Sequence, residues 1–206
     1  MAALTPTDAA RVVERALAES ADALEALRND DATLGTIARA AALVVDAFNR
    51  GKRVFSCGNG GSMCDAMHFA EELSGRFRGD RKGLPATAIS DPGHISCVAN
   101  DFGYEQVFAR YLESHAGAGD VLVAISTSGT SRNVLAAAKA ARTIGMHVVA
   151  LTGRRDSPLV AGADCAIVTP GGRYADRVQE LHIKVIHILI ELIERELFPD
   201  NYAGER

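Results

Sequence analysis

The 206-residue chain lacks most of the features that would assign it to a class at a glance. It has no large excess of charge. The formal net value is −4, so nothing global favours nucleic acid, although a local basic patch would be compatible with it. No apolar run approaches the ~18 residues of a membrane span. Met1 to Glu19 has neither the charged nor the apolar region of a signal peptide, which leads to the expectation of a cytoplasmic protein. The four cysteines, Cys57, Cys64, Cys97 and Cys165, show no C-x-x-C spacing. That argues against disulfides and a cysteine zinc site, and for buried, reduced thiols. Low-complexity tracts, long linkers and repeats of about 20 to 50 residues are absent. What remains is an ordinary globular composition, 48% apolar and 23% charged, in a chain long enough to bury a real core.

Two Ala/Leu-rich segments open the chain, Asp8 to Leu27 and Leu34 to Asn49. Each has the spacing of an amphipathic helix, with "RND" as the break between them. The texture then changes to alternation. Short β-rich runs at 53–57 ("RVFSC"), 86–90 ("ATAIS"), 121–125 ("VLVAI"), 147–151 ("HVVAL") and 165–169 ("CAIVT") are separated by helical segments. This pattern predicts βαβ units with right-handed connections, and so an α/β fold with a parallel sheet covered on both faces. The last segment, Ala175 to Phe198, is apolar on nearly all sides, with Lys184 and Glu191 as interruptions. Such a helix must be buried within the fold or against another subunit. With other helices available to cover the sheet, a subunit interface is the expectation.

Two strand ends carry small, polar loops: Gly58-Asn59-Gly60-Gly61-Ser62 after the first run, and Ser126-Thr127-Ser128-Gly129-Thr130-Ser131 after the third. Both allow close backbone approach, and both precede a helix whose amides and dipole favour an anion. Neither is a P-loop, and "GNGGSM" places Met63 where the last glycine of G-x-G-x-x-G belongs, which weakens a nucleotide reading. Alone, either loop reads as an ordinary strand-to-helix turn with a Ser or Thr cap. Together they say more. With a flavodoxin-like strand order, 2-1-3-4-5, they diverge over the crevice where such sheets bind ligands.

The helix after the first loop carries His68, Glu71 and Glu72. Residues four apart share a face, so His68 and Glu72 can share a metal or substrate, and Glu71 is almost as well placed. Spacing does not choose between the two glutamates. A single His-x-x-x-Glu pair is also what an ordinary surface helix shows. The last helix offers Asp176, Gln179, His182 and His187. Gln179 and His187 stand about 12 Å apart along an ideal helix. A lone His in an apolar helix, such as His182, is ordinarily a packed core residue. Two histidines and a glutamate suit zinc, with a glutamine carbonyl as an unusual further ligand.

"CGNGGSMCDAMHFAEELSGRF", "ISDPGHISCVANDFGYEQVF", "ISTSGTSRNV" and "RYADRVQELHIKVIHILIELIE" together resemble the bacterial sedoheptulose 7-phosphate isomerases of the sugar isomerase (SIS) superfamily. The resemblance runs from the second helix to about Glu194. It implies one SIS domain over residues 1–206. Residues 1–50 would be a helical extension, 51–198 a three-layer core around a five-stranded parallel sheet with the last helix, and 199–206 a tail. It also implies a homotetramer with active sites between subunits and one zinc per subunit. Carried over position by position, Glu72 is the catalytic base and His187 the acid, while His68, Glu72, Gln179 and His187 are metal ligands. Asn59, Gly60, Gly61, Glu72, Asn100, Asp101, Ser126, Thr127, Ser128, Ser131 and Gln179 contact the substrate, and Asp176 lies near the site without a role. Met63 departs from the histidine expected there, and the ending "ELFPDNYAGER" has no counterpart role. Two rivals share the fold, a non-catalytic regulator of the replication initiator protein and a sugar-phosphate sensor. Both would do without an ionisable pair such as Glu72 and His187. Isomerisation of another sugar phosphate is a milder alternative.

Overall fold

The structure, a computed structural model, describes residues 4–172 and 174–204; the last two residues of the tail, Glu205 and Arg206, and the first three of the chain lie outside them. The chain opens with helix α1 (Pro6–Arg28). The Thr5 hydroxyl caps it by accepting from Asp8 N at 3.2 Å, and Pro6 sits where no helical N–H is needed. Helix α2 (Asp31–Asn49) starts three residues before the apolar spacing begins, because the Asp30 carboxylate accepts from Thr33 N at 3.0 Å and fixes the first turn.

Five parallel strands follow: β1 (Val54–Cys57), β2 (Ala86–Ala88), β3 (Val121–Ile125), β4 (His147–Thr152) and β5 (Cys165–Val168). Their order is β2-β1-β3-β4-β5, as the two loops required. Between them lie α3 (Gly61–Ser74), α4 (Pro92–Phe102), α5 (Val107–His115), α6 (Arg132–Ile144) and a single turn, α7 (Pro158–Ala161); α8 (Ala175–Leu197) comes last. Side chains alternate along each strand, so both faces need cover. Val54, Val123, Ile125, Leu151 and Ile167 pack under α2, α3 and α8. Phe55, Leu122, Ala124, Val148 and Ala150 pack under α4, α5 and α6.

The last helix corrects an expectation. Its apolar residues Leu181, Val185, Ile186, Leu189, Ile190 and Ile193 are buried within the chain itself, in the cluster shared with α2 and α3. This face of the sheet needs that much cover, so α8 is an inner helix of the monomer. Four exposed large apolar side chains gather instead on α1: Val12, Val13, Leu17 and Leu24. The cysteines need a correction too. All four are free, but only Cys57 and Cys165 are buried; Cys64 and Cys97 are exposed on α3 and α4. No helix among the described residues is long and apolar enough to cross a membrane.

His182 is fully buried in α8, and neither ring nitrogen has a hydrogen-bond partner of normal geometry. Burial lowers its pKa to about 4, against a small opposing effect from the nearby Thr152 backbone. Between pH 6.5 and about 4 the unfolded chain therefore binds a proton that the folded chain refuses, and stability falls as the pH drops through that window. The expected loss is ~3 kcal/mol. Urea midpoints followed across this window should decline less in His182→Leu than in the parent chain; parallel declines would refute the assignment.

Candidate active site

Cys57 of β1 is paired with Ala124 of β3, so the loops beginning at Gly58 and Ser126 leave the sheet side by side. In the first, Gly60 takes φ +54° and is the N-cap of α3. In the second, Gly129 takes φ +65°, and a Cβ there would stand 2.2 Å from Ser157 Oγ, so only glycine fits. Neither α3 nor α6 is capped by its N-cap side chain. The Ser131 hydroxyl turns instead to Ser126 Oγ at 3.0 Å, while Ser128 Oγ meets Thr130 Oγ1 at 2.9 Å. The cap expected from Ser131 is thus replaced by an internal loop bond, which leaves the positive end of the helix dipole facing the loop. Thr127 is half-buried beside it, and its carbonyl accepts from Gly153 N at 3.0 Å.

Asn59 is held by two residues that sequence reading did not single out. Buried Asn133 accepts Val134 N on its Oδ1 at 3.0 Å. A backbone N–H can only donate, so this bond fixes which way the Asn133 amide faces. The two amides then exchange reciprocal bonds at 2.8 Å, and the Tyr104 hydroxyl donates to Asn59 Oδ1 at 3.2 Å. The oxygen of Asn59 is thereby occupied, and one of its N–H groups is left to meet an acceptor. Asn133 stood inside the motif "STSGTSRNV", but nothing in its spacing marked it.

The two glutamates approach different nitrogens of the His68 ring. Glu72 Oε1 stands 3.5 Å from His68 Nε2, while Glu71 Oε1 stands 3.7 Å from the other ring nitrogen, Nδ1, and is mostly exposed. His187 Nε2 faces His68 Nε2 at 2.9 Å. Glu72 and His187 therefore approach the same nitrogen of His68, and the Phe77 ring stacks on that of His187. Burial, helped by the neighbouring Glu71 charge, raises the Glu72 pKa; its Oε2 is buried without a partner. Burial and then the positive charges of His68, Lys184 and Arg78 lower that of His187. Gln179 lies over the first loop, its Nε2 2.3 Å from where a Gly61 Cβ would be. The arrangement suits a cation: two imidazole nitrogens face each other, and His68, Glu71 and Glu72 offer ligand atoms within 4.8 Å of one another. Nitrogens that share a zinc at about 2.0–2.1 Å each would stand slightly further apart than this pair.

Below the site, Arg81 is buried and donates to the carbonyls of Glu72 at 2.6 Å, Leu73 at 2.7 Å and Gly75 at 2.9 Å, where α3 ends. Its Nε meets Glu194 Oε1 at 2.7 Å. Asn100 and Asp101 pair with each other. They are exposed at the end of α4, and Asn100 Nδ2 donates to Asp101 Oδ1 at 2.7 Å. Asp176 is engaged by Arg177 N at 2.8 Å. Met63 packs against the cluster under α4 to α6, a role in which the expected histidine is not needed.

Comparison with known proteins agrees with this fold. Residues 10–153 match the SIS domain family. The chain is 56% identical over 186 residues to the phosphoheptose isomerase of Serratia proteamaculans, covering 90% of this chain and 96% of that one. It is 58% identical over 181 residues to the phosphoheptose isomerase of Proteus mirabilis, covering 88% and 94%. Among solved structures, phosphoheptose isomerase from Neisseria gonorrhoeae superposes with a TM-score of 0.83 at 37% identity, covering 89% of this chain and 97% of that one. That from Francisella tularensis gives 0.86 at 31%, covering 93% and 100%.

Proposed function

The chain belongs to the phosphoheptose isomerases of the SIS-domain family, and on that premise we propose that it converts sedoheptulose 7-phosphate into D-glycero-D-manno-heptose 7-phosphate. The observation that carries this reading is the approach of Glu72 and His187 to one nitrogen of His68, on the helix that follows the first of two loops suited to an anion. The phosphate sits on Ser126, Thr127, Ser128 and Ser131 at the open end of α6. Asn59, Gly60, Gly61 and Gln179 line the sugar, with the free N–H of Asn59 directed at a substrate oxygen.

The reaction moves hydrogen from C1 to C2. Glu72 takes a proton from C1, giving the enediol, and returns it to C2. His187 transfers the hydroxyl proton between the two oxygens, so the product carries the carbonyl at C1. Each group is worth roughly 10²–10⁴-fold when well placed. The desolvated Glu72 carboxylate is a stronger base than an exposed one. We assign His68, Glu72, Gln179 and His187 as the residues that hold one zinc. When bound, zinc would act as a Lewis acid towards the substrate oxygens. Of the two Glu72 oxygens, Oε1 faces His68 and Oε2 is buried without a protein partner.

We further propose a homotetramer with sites shared between subunits. Its support is the apolar stripe of α1 beside a groove of ≈ 820 Å³ lined across from it by Pro170, Gly171, Gly172, Tyr174, Asp176 and Arg177. The product would feed nucleotide-activated heptose for lipopolysaccharide or capsule. A phosphorylated sugar does not cross a bilayer unaided, so the reading places the step in the cytoplasm.

Incubation with sedoheptulose 7-phosphate in deuterated water, followed by NMR, tests the reading. Aldose with deuterium at C2 is expected, lost with a chelator and restored by zinc, from a particle that light scattering weighs as four chains. Tight binding without turnover would replace it with the regulator or sensor reading, and active monomers would remove the shared site.

A further inference from the structure

Tyr202 lies in the C-terminal segment that the family resemblance leaves without a role, yet it is only 5% exposed. It ends a short 3-10 turn, Pro199–Tyr202, and its hydroxyl donates to Glu194 Oε2 at 2.8 Å. Glu194 is itself fully buried, and its other oxygen receives Arg81 Nε. Of the remaining donors of Arg81, Nη2 reaches the carbonyl of Glu72 itself and Nη1 those of Leu73 and Gly75. The rest of the segment is bound to the same loop. The Phe198 ring faces Arg81 at 5.8 Å, the Arg195 guanidinium lies 4.3 Å over the Tyr202 ring, and Asn201 Nδ2 donates to Asp80 O at 3.1 Å. Gly79 lies close against Asn201, where a Cβ would come within 2.8 Å of that side chain.

We propose that residues 198–202 are a clamp that acts through Glu194 and Arg81 to fix the backbone of Glu72, and with it the direction of the carboxylate. Glu72 sits in the last turn of α3, where carbonyls have no partner four residues on and a helix frays first. Arg81 supplies those partners, and Tyr202 holds the carboxylate that holds Arg81. Tyr202 is thus a positioning residue linked to the base through three successive hydrogen bonds. The inference rests on Glu72 acting in the proposed isomerisation.

The test is Tyr202→Phe, which removes the hydroxyl and keeps the ring under Arg195, with a chain ending at Tyr202 as the control that retains every contact named. In Tyr202→Phe, amides of residues 72–75 are expected to exchange with deuterium about ten- to a hundredfold faster than in the parent, with α6 unchanged. The kcat for sedoheptulose 7-phosphate should fall about tenfold with KM within twofold, since only the placement of the base is altered. The control should match the parent in both. Unchanged exchange at 72–75 overturns the clamp. So does faster exchange with unchanged kcat, which would make the segment a purely structural support. A control as impaired as Tyr202→Phe overturns the assignment to the hydroxyl. A parent chain without turnover would overturn the proposed function first, an outcome distinct from an active parent with an equally active variant.

Discussion

Glu72→Gln is expected to lower kcat by about 10²–10⁴-fold while leaving KM nearly unchanged. The amide keeps the shape of the carboxylate and its contacts with the substrate, but it cannot take the C1 proton. The fold should not suffer. Burial and the Glu71 charge raise the Glu72 pKa, so in the folded state its ionised form is disfavoured relative to the unfolded chain. Above that raised pKa the ionised group therefore opposes folding, and the neutral variant should melt no lower than the parent, a trade of stability for function. The parent's kcat/KM should fall on the acid side as pH drops through the raised pKa, because only the carboxylate is a base. A folded Glu72→Gln variant that stays active would remove Glu72 from the role, and one that unfolds would contradict the stability expected here.

Arg81→Ala should destabilise the chain by about 3–5 kcal/mol, the usual result of stranding one partner of a buried ion pair. The Arg81 side chain is 1% exposed and Glu194 is 0% exposed, so water cannot replace the lost guanidinium without opening the structure. The exposed pair Arg110–Glu113, at 3.1 Å, is the contrast: Arg110→Ala is expected to cost at most about 1 kcal/mol. Urea unfolding measures both. Pairing Arg81→Met with Glu194→Leu should recover part of the loss, because no charge is then left buried. A cost below about 1 kcal/mol for Arg81→Ala would mean that Glu194 finds another partner.

The sheet was legible because its signal is local. β3 is the predicted run 121–125 itself, and the other strands differ from prediction only at their ends. The strand order was an assumption that made sense of two loops, and pairing bore it out. The destination of α8 was misread for a physical reason: an apolar helix carries no label saying which apolar surface it meets, and only the assembled sheet shows that the near side needs it. How differently Glu71 and Glu72 are placed was likewise closed to spacing. It depends on which nitrogen of the His68 ring each carboxylate approaches, a property of rotamers and of α8 lying opposite. Arg81 and Asn133 escaped notice because their work is done on backbone groups and on another amide, and neither leaves a pattern in the chain.

The same strand order decides when the chain can fold as it is made. β1 is flanked by β2 and β3, so the ribosome must have released residues as far as 125 before the middle of the sheet can close. α2, finished by residue 49, turns Ile37, Ala41, Val44 and Val45 towards a cluster completed only by α8, at the other end of the chain. Those side chains stay wet through most of synthesis, and the pairing of distant segments makes the final closure slow. The nascent chain should therefore depend on a chaperone at the stage when α2 has emerged and α8 has not.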